Sequence, residues 1–301
     1  MDERQYFEQK ARKGKRHFPL ALMMGLGMIV LVAAIFAIVF YPMFDNSEDK
    51  PFGGAKIKKQ EIWSDNGLIV TAEELGTVAG KNRAQEVVYL TINNGTPQEL
   101  TLRCEGLAVN GAAVQSAFAE TVPSGNTVRA ALSLDYRALY DMRIRTVGEI
   151  RMQLAAYDTA SGKQAAASGP LTLTTSKAKK ADPPSYMYST DGFYAKDGIT
   201  LASTSLYPAY TDKSSAVGFY VENNTDRDIA VTPKDTAVDG KAYPKDGSFV
   251  FPAGTKGTFY LELVWAELED VLPMEKLTGS FMVADRETGA PVAEAPFEFR
   301  P

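Results

Sequence analysis

The chain has 301 residues, 45% apolar and 23% charged, a balance that excludes wholesale disorder, collagen and low-complexity repeats. Its formal net charge is −5, and it holds a single histidine, His17, and a single cysteine, Cys104. Those two singletons exclude Ser-His-Asp and Cys-His catalysis in the body of the chain, His/Cys zinc clusters and any intrachain disulfide.

Residues 1–17 read as a cytoplasmic basic arm, with Arg4, Lys10, Arg12, Lys13, Lys15 and Arg16 against Asp2, Glu3 and Glu8. Residues 18–44 read as a transmembrane helix. From Leu20 to Tyr41 there are 22 residues without a charge, which at 1.5 Å per residue make a helix of roughly 33 Å, enough for a ~30 Å hydrocarbon layer. Pro19 and Pro42 punctuate the two ends. Positive charge stays inside, so the N-terminus is expected in the cytoplasm and everything after Pro42 outside the membrane, a single-pass signal-anchor topology. A cleaved signal peptide would have a shorter apolar region and a small-x-small site, whereas this run ends in Phe40-Tyr41-Pro42-Met43-Phe44. The arm contributes +3, which leaves −8 beyond the span. So acidic an exterior is ill suited to nucleic acid, whose binding rests on clustered Lys and Arg.

Residues 45–60 read as a polar tether, and past them the chain repeats itself. Residues 88–141 align with 217–270 at a constant offset of 129, with 13 identities in 54 positions, among them Asn94/Asn223, Thr96/Thr225, Gly111/Gly240, Pro123/Pro252 and Asp141/Asp270. Such self-similarity reports duplicated structure. The register extends outward with small shifts to Asn66-Gly67/Asp197-Gly198, Asp158…Gly162/Asp285…Gly289 and Pro170/Pro296. Two domains are therefore expected, at 61–175 and 191–301, joined by a linker at 176–190 that contains Pro183-Pro184.

Alternation within each copy predicts strands. Val88, Leu90 and Ile92 share one face of a period-2 segment, and Val217, Phe219 and Val221 repeat it. Further short runs bounded by Gly, Pro, Asn or Asp bring the expectation to about seven strands per copy. Only Asp135–Tyr140 and Trp265–Asp270 read as single helical turns. The fold class expected is all-β, two tandem immunoglobulin-like antiparallel β-sandwiches after one N-terminal transmembrane helix.

The order of span, tether and units, with a strand running into Asn-(Gly/Asn)-Thr, a Val-(Asn/Asp)-Gly turn, a (Val/Phe)-Pro-(Ser/Ala)-Gly turn and a Leu-x-Leu strand, resembles Gram-positive envelope proteins with tandem immunoglobulin-like domains. The resemblance covers roughly residues 60–301. It implies the fold and an extracytoplasmic location, and carries no catalytic residues across.

Several residues invite chemistry and meet a simpler explanation. Asn94-Gly-Thr96 and Asn223-Asn-Thr225 satisfy the glycosylation sequon and equally suit a turn. Cys104 aligns with Pro233, which places it on a sheet edge where a lost backbone N–H is tolerable, and its thiol reads as a small apolar group. The aspartates of the two Asp-x-x-(Ser/Thr)-Gly segments read as hairpin residues before calcium ligands, and Asp141/Asp270 as helix-turn caps. Glu73-Glu74, Asp235, Asp239 and Glu267-Glu269-Asp270 read as solvated loops and helix ends. No motif for a catalytic residue, metal or cofactor emerges. The candidate partner-binding surface is aromatic: Tyr186, Tyr188, Phe193, Tyr194, Tyr207 and Tyr210 bunch at the start of the second copy.

The function expected is a non-enzymatic binding or scaffolding module of the cell envelope, anchored in the bilayer, with a protein or cell-wall glycan partner outside the membrane. Two alternatives stand beside it. One is an envelope glycan- or peptidoglycan-modifying hydrolase using paired carboxylates; the other is a signalling receptor whose basic arm engages a cytoplasmic protein.

Overall fold

The computed structural model describes residues 51–79, 84–188, 190–208, 214–264, 267–268 and 274–301. The basic arm and the expected span at 18–44 lie outside the described residues, among which no helix is long and apolar enough to cross a membrane.

The chain is all-β, and its strands come in two matching series. In the first, β1 (Gln60–Asp65), β2 (Leu68–Ala79), β3 (Ala84–Asn94) and β7 (Thr127–Ser133) form one antiparallel sheet in the order β1-β2-β3-β7. Opposite it across the first core lie β4 (Leu100–Val109), β5 (Ala112–Ala113), β6 (Ala119–Val122), β8 (Glu149–Asp158) and β9 (Gln164–Thr174). The second series repeats the pattern. Strands β10 (Asp191–Lys196), β11 (Ile199–Pro208), β12 (Ser214–Asn223) and β16 (Thr255–Val264) pair in that order, opposite β13 (Ile229–Val238), β14 (Lys241–Ala242), β15 (Phe249–Phe251), β17 (Leu277–Asp285) and β18 (Pro291–Phe299).

Among the described residues each copy has nine strands where the sequence predicts about seven, the count including the opening strands β1 and β10 and the two-residue strands β5 and β14. β1 and β10 exist because Asn66-Gly67 and Asp197-Gly198 close tight hairpins, with φ of 45° and 93° in one and 52° and 79° in the other. Asn, Asp and Gly tolerate that left-handed region, and such turns match the twist of the strands they join.

The two cores are filled differently at equivalent positions. Cross-strand neighbours Leu90 and Ala130 of the first copy become Phe219 and Phe259 of the second, whose rings stack at 5.3 Å. Phe281 stands edge-on to Phe219 at 4.8 Å and Phe297 stacks on Phe281 at 4.6 Å, so the second core is a phenylalanine cluster. Each fully buried ring contributes roughly 2–3 kcal/mol from area alone. The first core is mostly aliphatic, with Phe52, Trp63, Met142 and Met152 among its larger fillers.

The two copies share a sheet. β16 of the second runs parallel to β5 of the first, with Lys256 opposite Ala112 and Gly257 opposite Ala113, making one nine-stranded sheet from half of each copy. Gly257 is required there, since a Cβ would stand 2.7 Å from the carbonyl oxygen of Ala113.

Both connecting segments are built into the body. The sequence places residues 51–60 in the tether, yet Phe52 and Ala55 are buried in the first core and the Phe52 N–H donates to Glu86 Oε1 at 2.9 Å. The segment expected as a linker, residues 176–190, is bonded to the body from Ser176 to Met187. The Asp182 carboxylate accepts from the N–H groups of Arg145 and Thr146 at 3.0 and 2.7 Å, and Ser185 and Met187 donate to the carbonyls of Met142 and Asp141.

Candidate functional site

The residues singled out by the duplicated motifs are held by local chemistry. Asn94 and Asn223 are both 0% exposed. The Asn94 amide donates to the carbonyls of Gln98 and Val122 at 2.8 and 2.9 Å, while its Oδ1 accepts from the N–H and hydroxyl of Thr96 at 3.1 and 2.7 Å. Asn223 makes the same bonds with Arg227, Phe251 and Thr225, at 2.9, 2.9, 3.1 and 2.7 Å. Each Asn ties a turn to the opposite strand, and Thr completes an Asx-type turn. In the other pair of turns, Asp158 Oδ1 accepts from the Ser161 N–H at 2.6 Å and Asp285 Oδ1 from the Thr288 N–H at 2.9 Å. The Ser161 hydroxyl and then its N–H hold the Asp158 carboxyl below the usual carboxylate range, as the Thr288 N–H and then its hydroxyl do for Asp285. Among the described residues no three His, Cys, Asp or Glu side chains gather as a metal site.

Cys104 is not on an edge: it lies in β4 between β8 and β6, opposite Leu154, and its N–H donates to the carbonyl of Phe118, just before β6 begins, at 3.4 Å. The thiol is buried, and desolvation pushes it up to about 11.

The place where side chains from distant segments converge is the junction of the two copies. There α1 (Tyr136–Asp141), capped by the Asp135 carboxylate on the Arg137 N–H at 2.9 Å, lies against the outer face of β12 and β16. That face presents Tyr220, Thr258 and Tyr260, alternating with the inward Phe219 and Phe259. The Tyr260 hydroxyl donates to Asp141 Oδ2, and the Arg137 guanidinium sits 3.9 Å from the Tyr260 ring centroid. Burial raises the Asp141 carboxyl above its ordinary range, with the Tyr260 hydrogen bond acting the other way; burial and that same carboxylate push the Tyr260 phenol up. Tyr220 donates to Glu222 Oε1 at 2.6 Å, which lowers the carboxyl, while burial first and then Glu222 raise the phenol.

A second polar cluster stands on the other flank. At the β4 bulge between Cys104 and Gly106, Glu105 is left outside the ladder and accepts from Arg286 of the second copy at 2.6 Å and from Tyr157 at 2.9 Å. Gln153 links to Asp228 and to Arg286 at 2.9 and 3.1 Å.

The structure divides the six aromatic residues predicted as one surface. Tyr186 stacks on Tyr220 with centroids 5.0 Å apart, inside the junction, and meets Tyr188 edge-on at 5.8 Å. Phe193 is turned away from any common surface, packing against Phe219, Phe281 and Phe297 of the second core, and Tyr194 packs against the same core. The reason is a β-bulge between Gly192 and Tyr194, which turns two consecutive side chains inward. Tyr207 is in β11 with its side chain outside the description, and Tyr210 lies outside the described residues. Sequence reasoning missed Tyr140. Among the described residues, Tyr140 and Tyr188 are the large hydrophobic side chains left exposed, at 49% and 39%. They flank one main-chain contact, the Met187 N–H to the Asp141 carbonyl at 2.9 Å. The signal for Tyr140 was the Tyr136/Tyr140 spacing of one helical turn, realised as rings 5.7 Å apart.

No protein-family model and no curated protein matches the chain. A crystal structure of a protein of unknown function from Porphyromonas gingivalis W83 aligns with 78% of this chain and 100% of its own, at 12% identity and a TM-score of 0.23, too loose a likeness to inform function.

Proposed function

We propose that the chain is a single-pass, membrane-anchored extracytoplasmic protein whose two immunoglobulin-like units act as a non-enzymatic binding or scaffolding module of the cell envelope. The observation that carries the binding role is the exposed pair Tyr140 and Tyr188, each next in sequence to one end of the main-chain bond that joins α1 to the segment between the copies. Aromatic rings left on a backbone fixed by neighbouring hydrogen bonds offer large contact area at small entropic cost, with a hydroxyl to orient a peptide or a sugar. Anchoring rests on the 22 uncharged residues from Leu20 to Tyr41 and the basic cluster before them.

Photo-crosslinking amino acids placed at Tyr140 and Tyr188 in intact cells test both parts. Both positions are expected to give the same adduct, and exposed Lys163 none. Absence of adducts at both tyrosines would overturn the binding surface. Protection of the C-terminal units from protease added to wall-stripped cells would overturn the topology.

A further inference from the structure

The first unit carries its charge unevenly. Residues 1–50 hold seven Lys or Arg and six Asp or Glu, a net +1 within a chain of −5, so residues 51–301 carry −6. Yet three segments that meet at one pole are basic. The first is the chain just after Pro51, with Lys56 and Lys58; the second follows α1, with Arg143 and Arg145; the third follows β9, with Lys177, Lys179 and Lys180.

Their meeting is fixed by main-chain bonds. Lys56 and Ser176 exchange hydrogen bonds at 3.1 and 2.8 Å, the Val147 N–H reaches the Phe52 carbonyl at 3.4 Å, and the Thr175 N–H reaches the Gly148 carbonyl at 2.9 Å. Gly53, at φ +61°, would put a Cβ 2.9 Å from the Arg145 carbonyl oxygen, so these loops touch. Three carboxylates share the pole: Asp182 and Glu86 face backbone N–H groups, and Glu149 pairs with Arg151 at 3.6 Å. Among the described residues named here, eight Lys or Arg side chains, Arg151 included, stand against three carboxylates, a local excess of positive charge on a body whose net is −6.

We propose that this basic pole docks on the phosphate headgroups of an anionic bilayer, the one that anchors the chain; the inference rests on the anchored reading above. Chain length supports it. Residues 45–50 separate the proposed span from Pro51, and fully extended they reach at most roughly 20 Å. The pole is where that short segment joins the folded body, so of all the body's surface it is tethered nearest the headgroups. Attraction of basic segments to anionic lipid falls off within a Debye length, a distance such a tether permits.

The test uses the full chain in nanodiscs of phosphatidylcholine with and without phosphatidylglycerol, read by amide hydrogen exchange. Slower exchange at residues 56–59 and 177–180 is expected with phosphatidylglycerol alone, abolished by high salt. Each charge removed in the combined variant Lys58→Gln, Lys179→Gln and Lys180→Gln should shift the docked population roughly five-fold toward undocked. Equal exchange in the two lipids would overturn the docking and leave the anchor standing. A chain that associates with neither bilayer on flotation would overturn both. Slowing of the pole by soluble polyphosphate, without slowing on phosphatidylglycerol, would overturn the lipid assignment.

Discussion

Asn94 and Asn223 show how one side chain can hold a turn, and each makes a prediction. Replacement by Ala strands two buried carbonyl acceptors and the turn N–H, so either change should cost about 2–4 kcal/mol in urea unfolding. Cys104 yields a second. With its thiol raised to about 11 by burial, it should resist a thiol reagent at neutral pH and react only once the chain unfolds. Asp141 yields a third. Its folded carboxyl binds a proton more tightly than in the unfolded chain, so its contribution to stability falls as pH rises through the ordinary Asp range toward the raised folded value. Asp141→Asn keeps an acceptor for Tyr260 and removes that titration. Its melting temperature should therefore gain on the parent's as pH climbs on the acid side of neutrality. Glu222 has the opposite sign, its lowered carboxyl withdrawing stability as pH falls through its folded value.

At the scale of elements, a fourth prediction concerns β16 and β5. Val in place of Gly257 would drive side-chain atoms into the Ala113 carbonyl, so Gly257→Val should break the parallel pairing and let the copies separate, seen as increased dimensions in small-angle scattering. The strands themselves were largely legible. Period-2 alternation located β3 and β12, because that signal is local, whereas Asn66-Gly67 and Asp197-Gly198 were legible as a repeated pair and not as the turns that create β1 and β10. Bulges were not legible. In β10 the slip between Gly192 and Tyr194 sends Phe193 into the core, as the slip between Glu61 and Trp63 in β1 sends Ile62 and Trp63 against the first. Strict alternation cannot anticipate either. The junction was hidden for a related reason: Arg286, Glu105, Tyr260 and Arg137 are separated by long stretches of chain, and their copies at the repeat offsets are different residues. A duplicated pattern announces what two units share, whereas this contact is made from what they do not.

Over the whole molecule, the shared sheet couples the two cores. Chemical unfolding of the parent should follow one transition by both near-ultraviolet and far-ultraviolet signals, and Gly257→Val should split it in two, the phenylalanine-filled core melting separately from the aliphatic one. The joint between the copies is heterologous, because an edge of the second receives a short strand of the first. Contacts of that kind ordinarily invite endless growth, each molecule offering the next the edge it has spare. Here the counterpart of Gly257 in the first copy is Val128, and the counterparts of Tyr260 and Arg286 are Ala131 and Thr159. The exposed end therefore lacks the groove, the phenol and the guanidinium that made the internal joint. Duplication thus repeated the fold without repeating the joint.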